Sequence, residues 1–240
     1  MLRVVIRINN KLSKKVSISQ SNYIPWKGYF DSIAQVDEFV LYDDMQYTKR
    51  DWRNRNKIKT PQGLKWMSIP VEVKGKFFQK ISDTRVSDQS WHISHLDLIK
   101  QNYAKSDYFN EVFPFIENLY QSASQFETIS KINHHFIKSI CSFLHIDTKI
   151  SFSSDYNLLE EGKTEKLVDL CKQLNAKEYF SGPAAKAYMD ELLFTNENIK
   201  VSYYDYSGYK EYSQLHGDFK HGVSILDLIF NEGGNARNFI

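Results

Sequence analysis

Strand-like and helix-like segments alternate near the start of the chain, and this order constrains the fold more than any other feature. Residues Val16–Gln20 alternate in polarity as a short strand does, and Pro25 suits the first turn of a helix. Helical spacing of apolar residues over Trp26–Val36 leads directly into a β-branched and aromatic strand, Glu38–Tyr42. The order predicts a right-handed βαβ unit, whose strand ends and following loops form the usual ligand site.

The last third of the chain repeats this alternation. The predicted strands are Lys149–Ser153, Glu178–Phe180 and Lys200–Tyr204, and the predicted helices are Thr164–Leu174, Ala184–Phe194 and Ser224–Phe230. Such a pattern predicts an α/β fold with a mostly parallel, Rossmann-like sheet and helices on both faces. We treat residues 1–14 as an N-terminal extension and expect residues 15–240 to form a single domain, since this length supports one large core.

Two further segments are predicted to be insertions into the sheet. Residues Leu64–Val73 and Lys80–Val86 resemble strands around a turn at Lys74–Lys76, which predicts a β-hairpin insertion. Apolar residues recur at spacings of three and four between Trp91 and His145, and this spacing predicts a helical insertion.

Charge and cysteine content limit the class of protein. The net charge is +2, from 31 basic and 29 acidic residues, so no overall field favours nucleic acid as a partner. Cys141 and Cys171 lie in apolar helical patterns without a CxxC motif, which predicts buried thiols in the cytoplasm. No apolar run approaches the roughly 18 residues of a membrane span, so no membrane insertion is expected.

The densest polar segment, residues 43–57, directly follows the predicted strand Glu38–Tyr42. Its five cations and three amides suit a phosphorylated or nucleotide-linked ligand, because arginine forks match phosphate and lysine supplies a point charge. The predicted ligand-binding residues are Gln46, Tyr47, Lys49, Arg53, Asn54, Arg55 and Asn56. A solvated basic loop balanced by neighbouring carboxylates is the alternative. The pair Asp43 and Asp44 suits Mg²⁺ binding or a general base.

The loop 20–28 precedes the first predicted helix, where free backbone N–H groups favour an anion. We expect Gln20, Asn22, Tyr23 and Trp26 to contact the ligand, although the loop has neither GxGxxG nor a Walker pattern. Later in the chain, Ser181 follows a predicted strand as a candidate hydrogen-bonding residue. None of the seven histidines has the spacing of a zinc site, so no metal site is predicted.

Several separated motifs, taken in order, resemble one known family. They are Gln20–Phe30, Phe39–Asp44, Gln46–Tyr47, Trp52–Asn56, Tyr179–Gly182 with Tyr188, Gln214–Gly217 and Ser224–Leu228, and the Trp91 and His95 pair also fits. This pattern resembles the WbqC-like family from about Val16 to the C-terminus. One departure is Ser21, where the family usually has proline, and this difference affects the stiffness of the loop.

The resemblance implies a WbqC-like α/β domain acting in bacterial surface-polysaccharide (O-antigen) biosynthesis. It implies a transferase that moves an activated amino acid, such as glycine, onto the amine of a nucleotide-linked amino sugar. In that scheme His95, His216 and Asp44 are the candidate catalytic residues, and Lys49, Arg53 and Arg55 grip the diphosphate. Ser181 and Tyr188 contact the substrate.

Two other functions stay open at this stage. One is an ATP-dependent, amide-forming ligase of nucleotidylyltransferase-like fold, with ATP and Mg²⁺ as cofactors, although the HxGH signature of such folds is missing. The other is a non-catalytic protein that binds a nucleotide sugar or scaffolds a partner. The sequence also leaves open whether the protein forms a homodimer.

Overall fold

The computed structural model describes residues 13–240, which form seven strands and seven α-helices. The strands are β1 (Lys15–Ser19), β2 (Glu38–Leu41), β3 (Arg55–Thr60), β4 (Gly63–Ser68), β5 (Lys149–Phe152), β6 (Glu178–Ser181) and β7 (Lys200–Tyr203). The α-helices are α1 (Lys27–Ala34), α2 (Trp91–Tyr103), α3 (Phe109–Ala123), α4 (Ile129–Phe143), α5 (Lys163–Gln173), α6 (Glu191–Asn196) and α7 (Ile225–Glu232). Short 3₁₀ helices span Ser153–Asp155, Pro183–Ala187 and Gly233–Phe239.

Five strands form one parallel sheet in the order β5-β2-β1-β6-β7. The chain builds the sheet outward from β1 in one direction through β2 and β5, and then in the other through β6 and β7. Strand order therefore reverses between β1 and β6, and ligands of such sheets bind outside the carboxyl ends of the strands at this switch point. The predicted α/β class with a mostly parallel sheet is confirmed.

Each face of the sheet carries its own apolar core. Successive side chains of a strand point to opposite faces, so Phe39 and Leu41 join one core while Val40 joins the other. The first core contains α1 and the helical insertion α2–α4. The second contains Val168 and Leu170 of α5, so helices cover both faces as predicted.

The predicted β-hairpin exists, but the sequence placed it wrongly. The hairpin ladder is β3–β4, with Arg55 opposite Ser68 and a turn after Thr60. Of the predicted strands, Leu64–Val73 contains most of β4, and it pairs with Lys80–Val86 only through one antiparallel bridge, between Val71 and Val86. Around Gly75, local turn bonds such as Lys76 N–H to the Val73 carbonyl (3.3 Å) replace a strand ladder. β3 was not predicted because residues 55–60 contain three cations and an amide, a composition more typical of a loop than of a strand.

Two other predicted boundaries change. The predicted helix Ala184–Phe194 is interrupted, because a 3₁₀ turn ends at Ala187 and α6 begins at Glu191. The side chain of Asp190 caps α6 by accepting a hydrogen bond from the Leu192 N–H at 3.1 Å, and this cap separates the two pieces. Of the predicted N-terminal extension, residues 1–12 lie outside the described residues.

Within residues 13–240, no helix is long and apolar enough to cross a membrane.

Candidate functional site

A cavity of about 630 Å³ lies at the carboxyl edge of the parallel sheet. Its floor contains Ser19 and Gln20 at the end of β1 and Ser181 and Gly182 at the end of β6. These two strands flank the switch point, so the cavity occupies the position where sheets of this order bind ligands. Its volume is within the range of small-molecule sites, about 300–1,000 Å³. We call it the switch-point cavity.

Hydroxyl groups line one wall of this cavity. The Tyr29 hydroxyl donates to the carbonyl of Gln20 at 3.0 Å, and the Tyr204 hydroxyl donates to the carbonyl of Ser32 at 3.0 Å. The Ser32 and Tyr206 hydroxyls are also 3.0 Å apart. Burial raises the pKa of Tyr29, Tyr204 and Tyr206, so these phenols stay neutral at neutral pH. The wall is therefore suited to hydrogen bonds with a polar ligand.

The N-terminus of α5 supplies positive charge at the rim. Lys163, Thr164 and Lys166 line the cavity there, and Glu161 lies just before the helix. Among the described residues, neither lysine forms an ion pair. Because backbone N–H groups at a helix start also favour anions, this rim suits a negatively charged part of a ligand.

A second, smaller cavity of about 280 Å³ lies beyond the loop 20–25. Its lining residues are Asn22, Pro25, Trp26, Trp52, Asn56 and Gly222. The two cavities are neighbours, because the ring of Trp26 lies 5.3 Å from the ring of Tyr206, which lines the switch-point cavity. The loop 20–25 therefore separates two concave sites.

The predicted substrate-binding residues divide between these cavities and the core. Gln20, Ser181 and Tyr188 line the switch-point cavity. The second cavity contains three more, namely Asn22, Trp26 and Asn56. The prediction thus identified parts of both cavities.

The remaining predicted contacts lie outside both cavities. Tyr23, Tyr47 and Asn54 are buried, and the Tyr47 hydroxyl donates to the side-chain oxygen of Asn54 at 3.0 Å. Lys49 is exposed in the loop after β2. Three more positions, Gln46, Arg53 and Arg55, are engaged with backbone carbonyls.

Arg53 points inward and holds the loop 20–25 in place. Its guanidinium donates to the carbonyl of Ser21 at 3.3 Å and to the side-chain oxygen of Asn22, and it faces Asp51 at 3.6 Å. This cation therefore positions the loop between the two cavities, whereas the cations that line the switch-point cavity in the described chain are Lys163 and Lys166.

The three predicted catalytic residues also lie outside the switch-point cavity. His95 is 6% exposed in the aromatic core, with Nδ1 2.8 Å from the Tyr23 hydroxyl. Burial lowers its pKa to about 4, so the ring is neutral. His216 is bonded at Nε2 to the Asn102 carbonyl, at 2.8 Å, and Asp44 pairs with Lys80 at 3.1 Å. The geometry brings none of them to a shared reaction centre.

The described residues contain no group of three or more His, Cys, Asp or Glu side chains arranged to hold a metal ion.

A model of the WbqC-like protein family matches residues 20–239. The chain belongs to the WbqC-like protein family. It is also similar to a protein of Mycobacterium tuberculosis (strain ATCC 25618 / H37Rv) named Uncharacterized protein Rv1507c. The two are 50% identical over 227 residues, which are 95% of this chain and 97% of the relative. No solved structure matches the chain.

In this WbqC-like chain, two of the motifs that carry the resemblance build a buried polar network rather than a cavity wall. Lys59 donates to the carbonyls of Gly217 (3.1 Å) and Asp218 (2.9 Å) and to the Gln214 side chain (3.0 Å). Asp227 accepts hydrogen bonds from the hydroxyls of Tyr103 (2.9 Å) and Tyr212 (3.0 Å). The network fixes the C-terminal segment against β3 and α2.

Several lining residues of the WbqC-like site were not predicted from the sequence. They are Ser17, Ser19, Tyr29, Ser32, Tyr42, Glu161, Lys163, Thr164, Lys166, Tyr204 and Tyr206. Tyr42 and Tyr204 directly follow β2 and β7, so the rule that ligands bind at carboxyl strand ends identifies them once the strands are known. The lysines at the start of α5 follow the same rule, since the helix begins at that edge of the sheet.

Proposed function

We propose that the protein binds a nucleotide-linked amino sugar in the switch-point cavity and transfers an activated amino acid, such as glycine, onto its amine. The proposed process is bacterial surface-polysaccharide (O-antigen) biosynthesis in the cytoplasm. One observation carries the proposal: a cavity of about 630 Å³ at the switch point combines a hydroxyl-rich wall with a cationic rim. Two free, buried thiols, Cys141 and Cys171, are consistent with a reducing compartment.

The two sides of the cavity match the two parts of such a ligand. The diphosphate is placed at the start of α5, where Lys163, Lys166 and the helix N-terminus favour negative charge. The sugar hydroxyls are placed against the opposite wall, near Tyr29, Ser32 and Ser181, which offer neutral donors and acceptors. The amine is placed on the side of the sugar that faces Glu161, just before α5.

The transfer step forms an amide. The neutral amine attacks the acyl carbon of an aminoacyl ester or thioester, the C–N bond forms, and the C–O or C–S bond breaks. The proton lost by the amine passes through a base to the leaving oxygen or sulfur. Within the described chain, Glu161 is the one carboxylate that lines the cavity, and we propose it as this base. In this proposal Glu161 takes the general-base role that the sequence analysis gave to His95, His216 and Asp44.

Calorimetric titration with nucleoside-diphosphate amino sugars tests the binding step. Each probe is compared with the matched sugar that carries a hydroxyl instead of the amine. The double change Lys163→Ala/Lys166→Ala removes the cations of the rim, and we expect affinity to fall at least tenfold, whereas Lys65→Ala on the exposed hairpin leaves it unchanged. Absence of binding by any amino sugar contradicts the proposal at its first step.

Mass spectrometry tests the transfer step separately. The protein is incubated with the bound sugar and with glycine supplied as a thioester or an aminoacyl ester, and the product is expected to gain one glycyl group. Glu161→Gln is expected to slow turnover about 10²–10⁴-fold while the affinity for the sugar is retained, as removal of a general base does. Tight binding without turnover for every activated donor identifies the protein as a nucleotide-sugar binder.

A further inference from the structure

Two exposed tryptophans lie together on the outer face of the β3–β4 hairpin. Trp52 is 40% exposed and Trp66 is 39% exposed, and their ring centres are 5.3 Å apart at a tilt of 41°. The register places Lys57 directly opposite Trp66, and Arg55 lies two residues earlier on the same face. We call these four residues the hairpin platform.

The platform combines ring faces with two cations, and the carboxylate nearest in charge to Arg55 is Asp51, which pairs with Arg53 instead. The guanidinium of Arg55 lies 4.0 Å from the centre of the Trp66 ring, and the ammonium of Lys57 lies 4.8 Å from it. In the described part of the chain, neither cation forms an ion pair. One terminal nitrogen of Arg55 donates to the Arg50 carbonyl, and among the described residues its other terminal nitrogen makes no hydrogen bond. An anion beside the rings would satisfy both charges.

The second cavity adjoins the hairpin platform, because Trp52 belongs to both. Pro25 and Trp26 form the apolar walls of the cavity, and the side chain of Asn22 is a polar group in it. At about 280 Å³, the cavity is just below the usual size range of small-molecule sites. The edge of a flat ring stacked on Trp52 therefore extends into this cavity, while any charged extension remains outside near Arg55 and Lys57.

We propose that the hairpin platform and the second cavity form a binding site for a nucleoside phosphate. The base stacks on Trp52 and Trp66, as bases do on aromatic side chains in proteins that bind single strands. The phosphate pairs with Lys57 and Arg55, which are the cations nearest the rings. A neutral sugar would use the rings but leave the cations unpaired, so charge complementarity favours the phosphate.

This site is separate from the switch-point cavity, since none of its residues lines that cavity. The inference therefore holds whether or not the first cavity binds an amino sugar. One extension rests on the proposed function: an amino acid activated on a nucleotide, as an aminoacyl ester or a thioester, is the class of donor that this site would hold. The short loop 20–25 would then separate donor from acceptor.

Titration of tryptophan fluorescence with ADP tests the site directly. Adenosine and inorganic pyrophosphate serve as separate probes for the ring and the charge, and each is expected to bind at least tenfold more weakly than ADP. Trp66→Ala and Lys57→Ala are each expected to raise the Kd for ADP at least tenfold, which is about 1.4 kcal/mol. Trp66→Phe keeps a stacking ring and is expected to restore most of the affinity.

Matched controls separate this site from other surfaces and from loss of folding. Phe78→Ala removes an aromatic side chain that is 83% exposed elsewhere, and Lys65→Ala removes an exposed lysine of the same hairpin; neither is expected to change the Kd. Lys163→Ala/Lys166→Ala is also expected to leave ADP binding intact. The proposal is overturned if ADP does not bind, if Trp66→Ala and Lys57→Ala bind it normally, or if only an RNA oligomer binds.

Discussion

His95 is expected to make the stability of the protein depend on pH. Burial lowers the pKa of this imidazole from 6.5 to about 4, with the contact to the Ser68 carbonyl acting weakly in the other direction. The pKa is thus lower in the folded than in the unfolded chain, and the unfolded chain binds the proton first as the pH falls. The contribution of neutral His95 is fully present above pH 6.5 and is lost progressively toward about pH 4.

The expected magnitude follows from the two pKa values. One unit of pKa shift corresponds to about 1.4 kcal/mol, so complete loss of the contribution amounts to about 3 kcal/mol. Between about pH 7.5 and about pH 5, the same linkage gives a loss of about 2 kcal/mol in the free energy of unfolding. A loss of this size is a large part of the stability of an ordinary domain, about 5–15 kcal/mol.

Urea unfolding followed by tryptophan fluorescence measures this loss in the wild type and in His95→Gln. Glutamine can replace the hydrogen bonds of the ring to Tyr23 and Ser68, but it does not titrate. The wild type is expected to lose about 2 kcal/mol more than the variant between the two pH values. Burial also lowers the pKa of His134, His135 and His221, and comparison with the variant cancels their effect. Equal losses in both proteins would refute the reasoning.

Two further predictions concern buried groups. Asp227 is fully buried and accepts from two tyrosine hydroxyls, so Asp227→Ala leaves both hydroxyls without this acceptor and is expected to destabilise the fold by about 2–6 kcal/mol in urea unfolding; a loss below about 1 kcal/mol would contradict its role in the network. Burial raises the pKa of Cys141 to about 12 and that of Cys171 also, so neither thiol is expected to react with a thiol reagent until urea unfolds the chain. Ligand binding is expected to survive the double change to serine, and loss of binding by a folded double variant would implicate a thiol in the site.

The strands and helices of the sheet could be predicted because apolar residues recur along each of them with the period that places them on its buried face. Val16–Gln20, Trp26–Val36 and Glu38–Tyr42 carry periodicities that depend on neighbours in sequence, and the structure places β1, α1 and β2 there. The switch point then follows from the order of the elements. Its location at the end of β1 explains why Gln20 was found from sequence, and the same rule at the end of β6 explains Ser181.

The errors arose where distant contacts decide the environment of a residue. Lys59 follows the basic segment 43–57 and was not predicted as a buried residue, yet it is buried in β3 and donates to acceptors 155–159 residues away in sequence. His95 reads as a candidate base, yet its partner Tyr23 lies 72 residues away and both belong to the core. Single-residue chemistry could not distinguish these buried cases from exposed functional groups.

The segment 52–57 shows how one polar run serves two purposes. Arg53 and Asn56 point inward, where Arg53 donates to the carbonyls of Gln20 and Ser21 and Asn56 donates to those of Tyr23 and Ile24. These bonds hold the loop 20–25, which forms the wall between the two cavities. Trp52, Arg55 and Lys57 instead present rings and charge outward on the hairpin.

The inward direction of Arg53 determines whether it can contact a ligand. The Arg53 guanidinium is engaged by the carbonyls of Gln20 and Ser21, by the Asn22 side chain and by the Asp51 carboxylate, so its charge already serves the loop. Arg53 is therefore better described as a positioning residue for both cavities than as a ligand contact of one. In the proposed function, the ligand contacts of the switch-point cavity are instead Lys163, Lys166 and the tyrosine wall, which lie outside the basic segment 43–57.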